Sequence, residues 1–78
     1  MTDNTGVALE KVISRFDYDA SNNLIYLGMA LPGTATSAAG WQIRSFTYTG
    51  ANLTSTLYAG GSRQFVQIWD NRAALAYS

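Results

Sequence analysis

A chain of 78 residues with no cysteine and no histidine has neither of the staples on which domains of this size most often rely. Disulfides need the first residue type, and structural zinc sites are built from the two. Ordering the chain costs on the order of 120 kcal/mol at ~1.5 kcal/mol per residue, and apolar burial at ~25 cal/mol/Å² in so small a body barely matches it. The stabiliser left over is contact with other chains. The sequence therefore predicts one small domain that assembles, with a homo-oligomer as the expectation.

Charge points the same way. Five Lys plus Arg balance five Asp plus Glu, and charged residues make up 13% of the chain, where ~25% is usual. A nucleic-acid partner is not expected, because neutralising phosphates takes a concentrated positive field. So little charge suits a surface that neighbours cover. Without histidine no side chain titrates near neutral pH unless strongly perturbed, and no base stands ready to activate a serine, so an enzyme is not expected. Residues 1–12 contain Asp3 and no apolar run, so neither a signal peptide nor a membrane span is expected there, and synthesis in the cytosol is.

The fold class read from the pattern is mainly β. Residues 1–8 form an N-terminal arm and residues 9–78 a single β-rich domain of two hairpins, sandwich- or barrel-like, with a short C-terminal helix. Val12, Ser14, Phe16 and Tyr18 alternate with Ile13, Arg15 and Asp17, the period of a strand. Asp19 to Asn23 supply turn-forming side chains, and Leu24 to Leu27 resume as the returning strand. The plan then repeats. Phe16, Tyr18, Asn23 and Leu24 are echoed by Phe46, Tyr48, Asn52 and Leu53. Either a hairpin has been duplicated or any aromatic strand with an asparagine turn looks this way; both predict strands over Trp41–Tyr48 and Leu53–Tyr58. The apolar phase slips inside the third strand, between Trp41 and Ile43 on one side and Phe46 and Tyr48 on the other. That predicts a bulge near Arg44 and Ser45, or a strand covered on both faces.

Leu31 to Gly40, LPGTATSAAG, has no periodicity and reads as a loop, long for so small a domain. Its small uncharged side chains let another backbone approach closely. The candidate protein-contact residues are Leu31, Pro32, Gly33, Thr34, Thr36 and Ser37, with Val7 in the arm. After Ala59, Gly60 and Gly61 break the chain, Ser62 can cap a helix over Arg63–Asn71, where Phe65, Ile68, Trp69 and Arg72 follow at helical spacing. A continuous strand through Phe65, Gln67 and Trp69 is the alternative. Ala73 to Ser78 can form a last strand.

The candidate chemistry is thin. Asp17, Asp19 and Ser21 begin like a calcium loop, but Asn22 stands where glycine is needed and Gly28 where a bidentate glutamate is needed, so no metal or cofactor is expected. Asn52-Leu53-Thr54 matches the glycosylation pattern and is read as a turn. Most of the ten aromatics are expected in the core, others as interface anchors or sugar-stacking surfaces. Trp41, Trp69, Arg72 and Tyr77 are expected as structural anchors, Arg72 by pairing a carboxylate, capping carbonyls or stacking on an indole.

One longer pattern remains. Tyr26-Leu27-Gly28, Ala30-Leu31-Pro32-Gly33, Thr36-Ser37, Trp41-Gln42-Ile43-Arg44, Ala59-Gly60, Phe65, Trp69-Asp70-Asn71-Arg72 and Leu75-Ala76-Tyr77-Ser78 form a spaced series. It is similar to a family of small virion proteins of tailed bacteriophages, with the pattern Y-x-G-x-A-x-P-G, T-S, W-x-I, then W-D-x-R-A and Y-S. Here Ser45 follows Arg44 where a basic residue is common, and Gly60-Gly61 replaces an acidic turn. The resemblance spans Leu24 to Ser78. It implies a non-enzymatic structural component of the virion, made in the bacterial cytoplasm and bound to other phage virion proteins. A tail, neck or fibre-associated subunit is the leading expectation; a capsid decoration protein or a carbohydrate- or receptor-binding module is the alternative.

Overall fold

The structure, a computed structural model, describes residues 11–78. The expected arm, with Val7, lies outside the described residues. The fold is mainly β: β1 (Ile13–Tyr18), β2 (Leu24–Ala30), β3 (Ala39–Thr49), β4 (Asn52–Tyr58) and β5 (Gln67–Ile68), followed by a 3-10 helix over Trp69–Ala74. Strands β1 to β4 form one antiparallel meander in chain order, and β5 pairs with the first part of β3. It is an open sheet, covered on one side by the C-terminal segment of the same chain.

The two hairpins share a bulge position, although residues 19–23 separate the paired Tyr and Leu in the first and residues 49–52 in the second. In the first, Tyr18 pairs with Leu24 and Asp17 with Tyr26, which leaves Ile25 as an extra residue on β2. In the second, Tyr48 pairs with Leu53 and Thr47 with Ser55, which leaves Thr54 as the extra residue on β4. Each bulge thus follows the leucine of the repeated Phe-x-Tyr, Asn-Leu pattern. The bulge expected near Arg44 and Ser45 is absent there, since the pairing of both residues with β4 and β2 is regular. The irregularities of β3 lie opposite Thr54 and at Gly40, between its pairings with β4 and β5. The change of phase along β3 has a simpler cause: the strand puts apolar side chains on both faces of the sheet.

The first turn follows from its side chains. Asn22 has φ 65°, the left-handed region that asparagine tolerates. The Asp19 carboxylate accepts from the N–H of Ser21 at 2.8 Å and of Asn23 at 2.9 Å, and from the Asn23 amide at 3.3 Å. The Asn23 N–H is the strongest influence holding this carboxyl below its usual range, helped by Ser21 and opposed by slight desolvation. Asp17 turns elsewhere, to Arg72, so the two carboxylates of the calcium-like spacing serve different partners.

The core lies on the face shared by Ala30, Trp41 and Ile43, with Ala59 and Trp69, and Ile13, Tyr26, Leu75 and Tyr77 pack around it. Gly28 makes room for it. A Cβ at this position would lie 2.5 Å from Trp69 Cε3 and 3.1 Å from Trp41 Cε3. The Trp69 indole therefore rests on bare β2 backbone, tilted against Trp41 at a centroid distance of 5.9 Å.

The expected helix over Arg63–Asn71 is not formed. The Ser62 hydroxyl accepts from the Gln64 N–H two residues on, closing a turn rather than capping a helix. Gln67 and Ile68 then pair with β3. Only from Trp69 does the chain coil, as one short 3-10 segment. The last strand reduces to a bridge between Ala59 and Tyr77. It is fixed by reciprocal Tyr58 and Ser78 backbone bonds and by the Gly60 N–H donating to Ala76 at 2.7 Å.

Candidate protein-contact face

Directly paired residues of an antiparallel sheet share a face, so the register sorts the side chains into two sets. Trp41 and Ile43, with Gly28 opposite Ile43, belong to the covered face. The other set contains Phe16 and Leu27, paired across β1 and β2. It also contains Arg44, paired with both Leu27 and Tyr58, together with Phe46, and Tyr48 paired with Leu53. At one end the Gln42 side chain, on this same side, donates to the Arg63 carbonyl at 2.7 Å, so the segment after β4 borders the face there. Phe16 and Tyr18 are each 55% exposed and Leu53 51%. Exposed apolar side chains on the two edge strands, β1 and β4, make this a candidate contact face.

This corrects the expectation that most of the aromatics fill the core. Trp41 and Trp69 do; Phe16, Tyr18 and Phe65 are exposed, and the remaining five are half-buried. The reason is geometric. Phe-x-Tyr in β1 and Phe-x-Tyr in β3 occur at even positions, and the meander register puts all four rings on one side, away from the single C-terminal segment that covers the sheet. The signal was in the sequence: the repeat itself, laid on two adjacent hairpins, predicts an aromatic stripe.

Arg44 sits in the middle of this face. Its guanidinium carbon lies 5.1 Å from the Tyr58 ring centroid and 5.9 Å from that of Phe46, and Nη2 donates to Thr56 Oγ1 at 3.2 Å. Nε is buried and has no partner among the described residues. The Tyr48 hydroxyl at this face donates to the Leu24 carbonyl at 2.9 Å.

The loop between β2 and β3 is shorter than its sequence suggests, because Ala39 and Gly40 belong to β3. It is also tied to its own domain. The Trp41 indole N–H donates to the Ala35 carbonyl at 2.9 Å, and the Asp70 N–H to Thr36 at 3.1 Å. Thr34 donates to the Leu31 carbonyl at 2.7 Å and rests beside Gly40. Of the candidate contact residues, Leu31, Pro32, Gly33 and Ser37 are exposed, whereas Thr34 and Thr36 are half-buried against this chain. The loop is a rigid rim at the end of the sheet.

The anchors converge on the covered side. Arg72 Nε donates to Asp17 Oδ2 at 2.9 Å, Nη1 donates to the Trp69 carbonyl at 3.2 Å, and the guanidinium stacks over the Trp69 indole at 4.6 Å. The Tyr77 hydroxyl donates to the Arg72 carbonyl at 2.7 Å, and its ring packs on Tyr26. Asp17, 55 residues distant in sequence, stands out in the sequence only for its calcium-like spacing, and nothing there links it to Arg72. Among the described residues no group of three or more metal-binding side chains comes together.

No protein-family model, curated protein or solved structure matches this chain.

Proposed function

We propose that this chain is a non-enzymatic structural component of a tailed-bacteriophage virion, a tail-, neck- or fibre-associated subunit present in repeated copies and acting through protein-protein contacts. The observation that carries the reading is the division of labour between the two faces of one sheet. The chain's own C-terminal segment fills one face, anchored by Trp69 and Arg72. The opposite face presents Phe16, Tyr18 and Leu53 to its surroundings, and Leu31 in the loop between β2 and β3 is exposed as well. A domain of this size that leaves so much apolar surface open gains stability when a partner covers it. The spaced motif series from Leu24 to Ser78 supplies the virion setting.

Quantitative mass spectrometry of density-purified particles tests the proposal. The chain should be present at a fixed stoichiometry to the major structural proteins and should stay with the particles through a salt wash. Recovery only from the soluble fraction of infected cells would overturn it.

A second reading, a carbohydrate-binding module, draws on the open rings of Phe16 and Tyr18. It is the weaker one. Leu27 and Leu53 lie among the rings, and the Tyr48 hydroxyl is spent on Leu24.

A further inference from the structure

We propose that the open sheet face docks a segment of a different virion protein that carries an aspartate or glutamate among apolar side chains, and that Arg44 receives that carboxylate. The inference rests on the reading above and specifies its partner.

A guanidinium has five N–H donors in a planar fork. Among the described residues Arg44 places one of them, on Thr56, and its buried Nε has no acceptor. Tyr58 and Phe46 hold the group over their rings, and so fix its plane before any partner arrives. A planar, always charged donor set held in place among apolar side chains matches a carboxylate, which can accept two parallel hydrogen bonds from it.

Charge complementarity identifies the occupant. No acidic side chain of the described residues shares this face: Asp17 pairs with Arg72 on the covered side, Asp19 closes the first turn, and Asp70 lies on the 3-10 helix that covers the core. The described faces of two copies, stacked on each other, would therefore set two Arg44 cations among aromatic rings with no counter-charge from either face. The two faces do not fit each other; a segment bearing a carboxylate does. A phosphate backbone is a poor alternative, since the chain is neutral overall and the face offers one cation where nucleic acid requires many. Neutral sugars leave the cation unmatched.

The probe is an array of overlapping 15-residue peptides covering the particle's structural proteins, read with the purified full-length chain. Bound peptides should contain Asp or Glu flanked by apolar residues. Arg44→Gln should weaken them at least about tenfold, as should changing the peptide's acid to its amide, and the two changes together should cost little more than either alone. Circular dichroism and the melting curve of Arg44→Gln establish that the variant is folded; Arg44→Lys, which keeps the charge and loses the fork, should retain part of the binding.

Four results would overturn the inference: binding that Arg44→Gln does not change, a preference for acid-free peptides, no bound peptide at all, or concentration-dependent dimers in sedimentation that Phe16→Ser disrupts. Saturable glycan binding through Tyr18 and Phe46 would overturn it as well. Each of these leaves the virion assignment standing as long as the chain is found in particles, and absence from particles refutes that assignment without reference to Arg44.

Discussion

Replacing Gly28 by alanine should destabilise the protein, although the backbone there does not require glycine. Gly28 is not among the residues with positive φ, so alanine suits its conformation, and through the unfolded chain alone the change would stabilise by about 0.4–1 kcal/mol. The new methyl, however, would stand 2.5 and 2.7 Å from Cε3 and Cζ3 of Trp69, where carbon atoms pack at about 3.5–4.0 Å. The indole must retreat by roughly 1 Å, and the methyl cannot shift away because Trp41, fully buried, lies 3.1 Å from it. Overpacking of this kind costs about 1–3 kcal/mol, and outright loss of a buried tryptophan about 3–5 kcal/mol. We expect a net loss of about 2 kcal/mol, a fall in melting temperature of roughly 8–16 °C for a domain of this size. Equilibrium urea unfolding followed by tryptophan emission measures it, and the native emission should shift to the red. In a Trp69→Ala background the same methyl should cost less than about 0.5 kcal/mol, since the atoms it strikes are gone. A Gly28→Ala variant as stable as the parent, or one equally destabilised in both backgrounds, would refute the packing argument.

Arg72→Ala should cost about 2 kcal/mol and Asp17→Asn no more than about 1 kcal/mol, because the arginine loses its indole stacking and the Trp69 carbonyl as well as a partly exposed ion pair; thermal unfolding of both variants checks the order. Burial, with the Tyr26 phenol adding and Arg72 opposing, pushes the Tyr77 phenol up to about 12. A folded-state pKa raised above the unfolded value means that the phenol's contribution is complete below pH ~10 and is lost as pH rises through about 12, so the stability advantage over Tyr77→Phe should shrink across that interval; a constant difference would contradict it. The Asp19 carboxyl is held below its usual value by its own turn. Its contribution is therefore present above pH ~4 and fades as the pH falls further, and Asp19→Ala should flatten the acid limb of the stability profile.

Local signals in the sequence read well where the chemistry is local. The turn at Asp19 to Asn23, the alternation through Ile13 to Tyr18, and the repeated Phe-x-Tyr, Asn-Leu units specify both hairpins, with strand ends within two residues of the structure at β3 and one at β4. The C-terminal segment misled because spacing alone cannot separate a helix from a chain that touches the sheet at Ile68, Trp69 and Arg72 and bends between. Ser62 accepts the Gln64 N–H as an N-cap would, yet no helical turn follows before Trp69. Gly28 was legible only as part of a motif, since its role depends on a tryptophan 41 positions later. The contact face was hidden for a similar reason. Aromatic residues are placed in the core by default, and only the register shows that Phe16, Tyr18, Phe46 and Tyr48 line up on the side the C-terminal segment does not cover. The loop from Leu31 was correctly placed between hairpins, yet its hold on Trp41 and Asp70 is a long-range property that small side chains do not announce.

Oxidative footprinting of the aromatic side chains, in the free protein and again within purified particles, tests the central claim most directly. The account predicts that Phe16 and Tyr18 react readily in the free chain and become protected in the particle, along with Phe46 and Tyr58. Trp41, buried by the chain itself, should be unreactive in both states. Phe16 and Tyr18 reacting as fast in the particle as in solution would contradict the claim that this face is where the protein binds its partner.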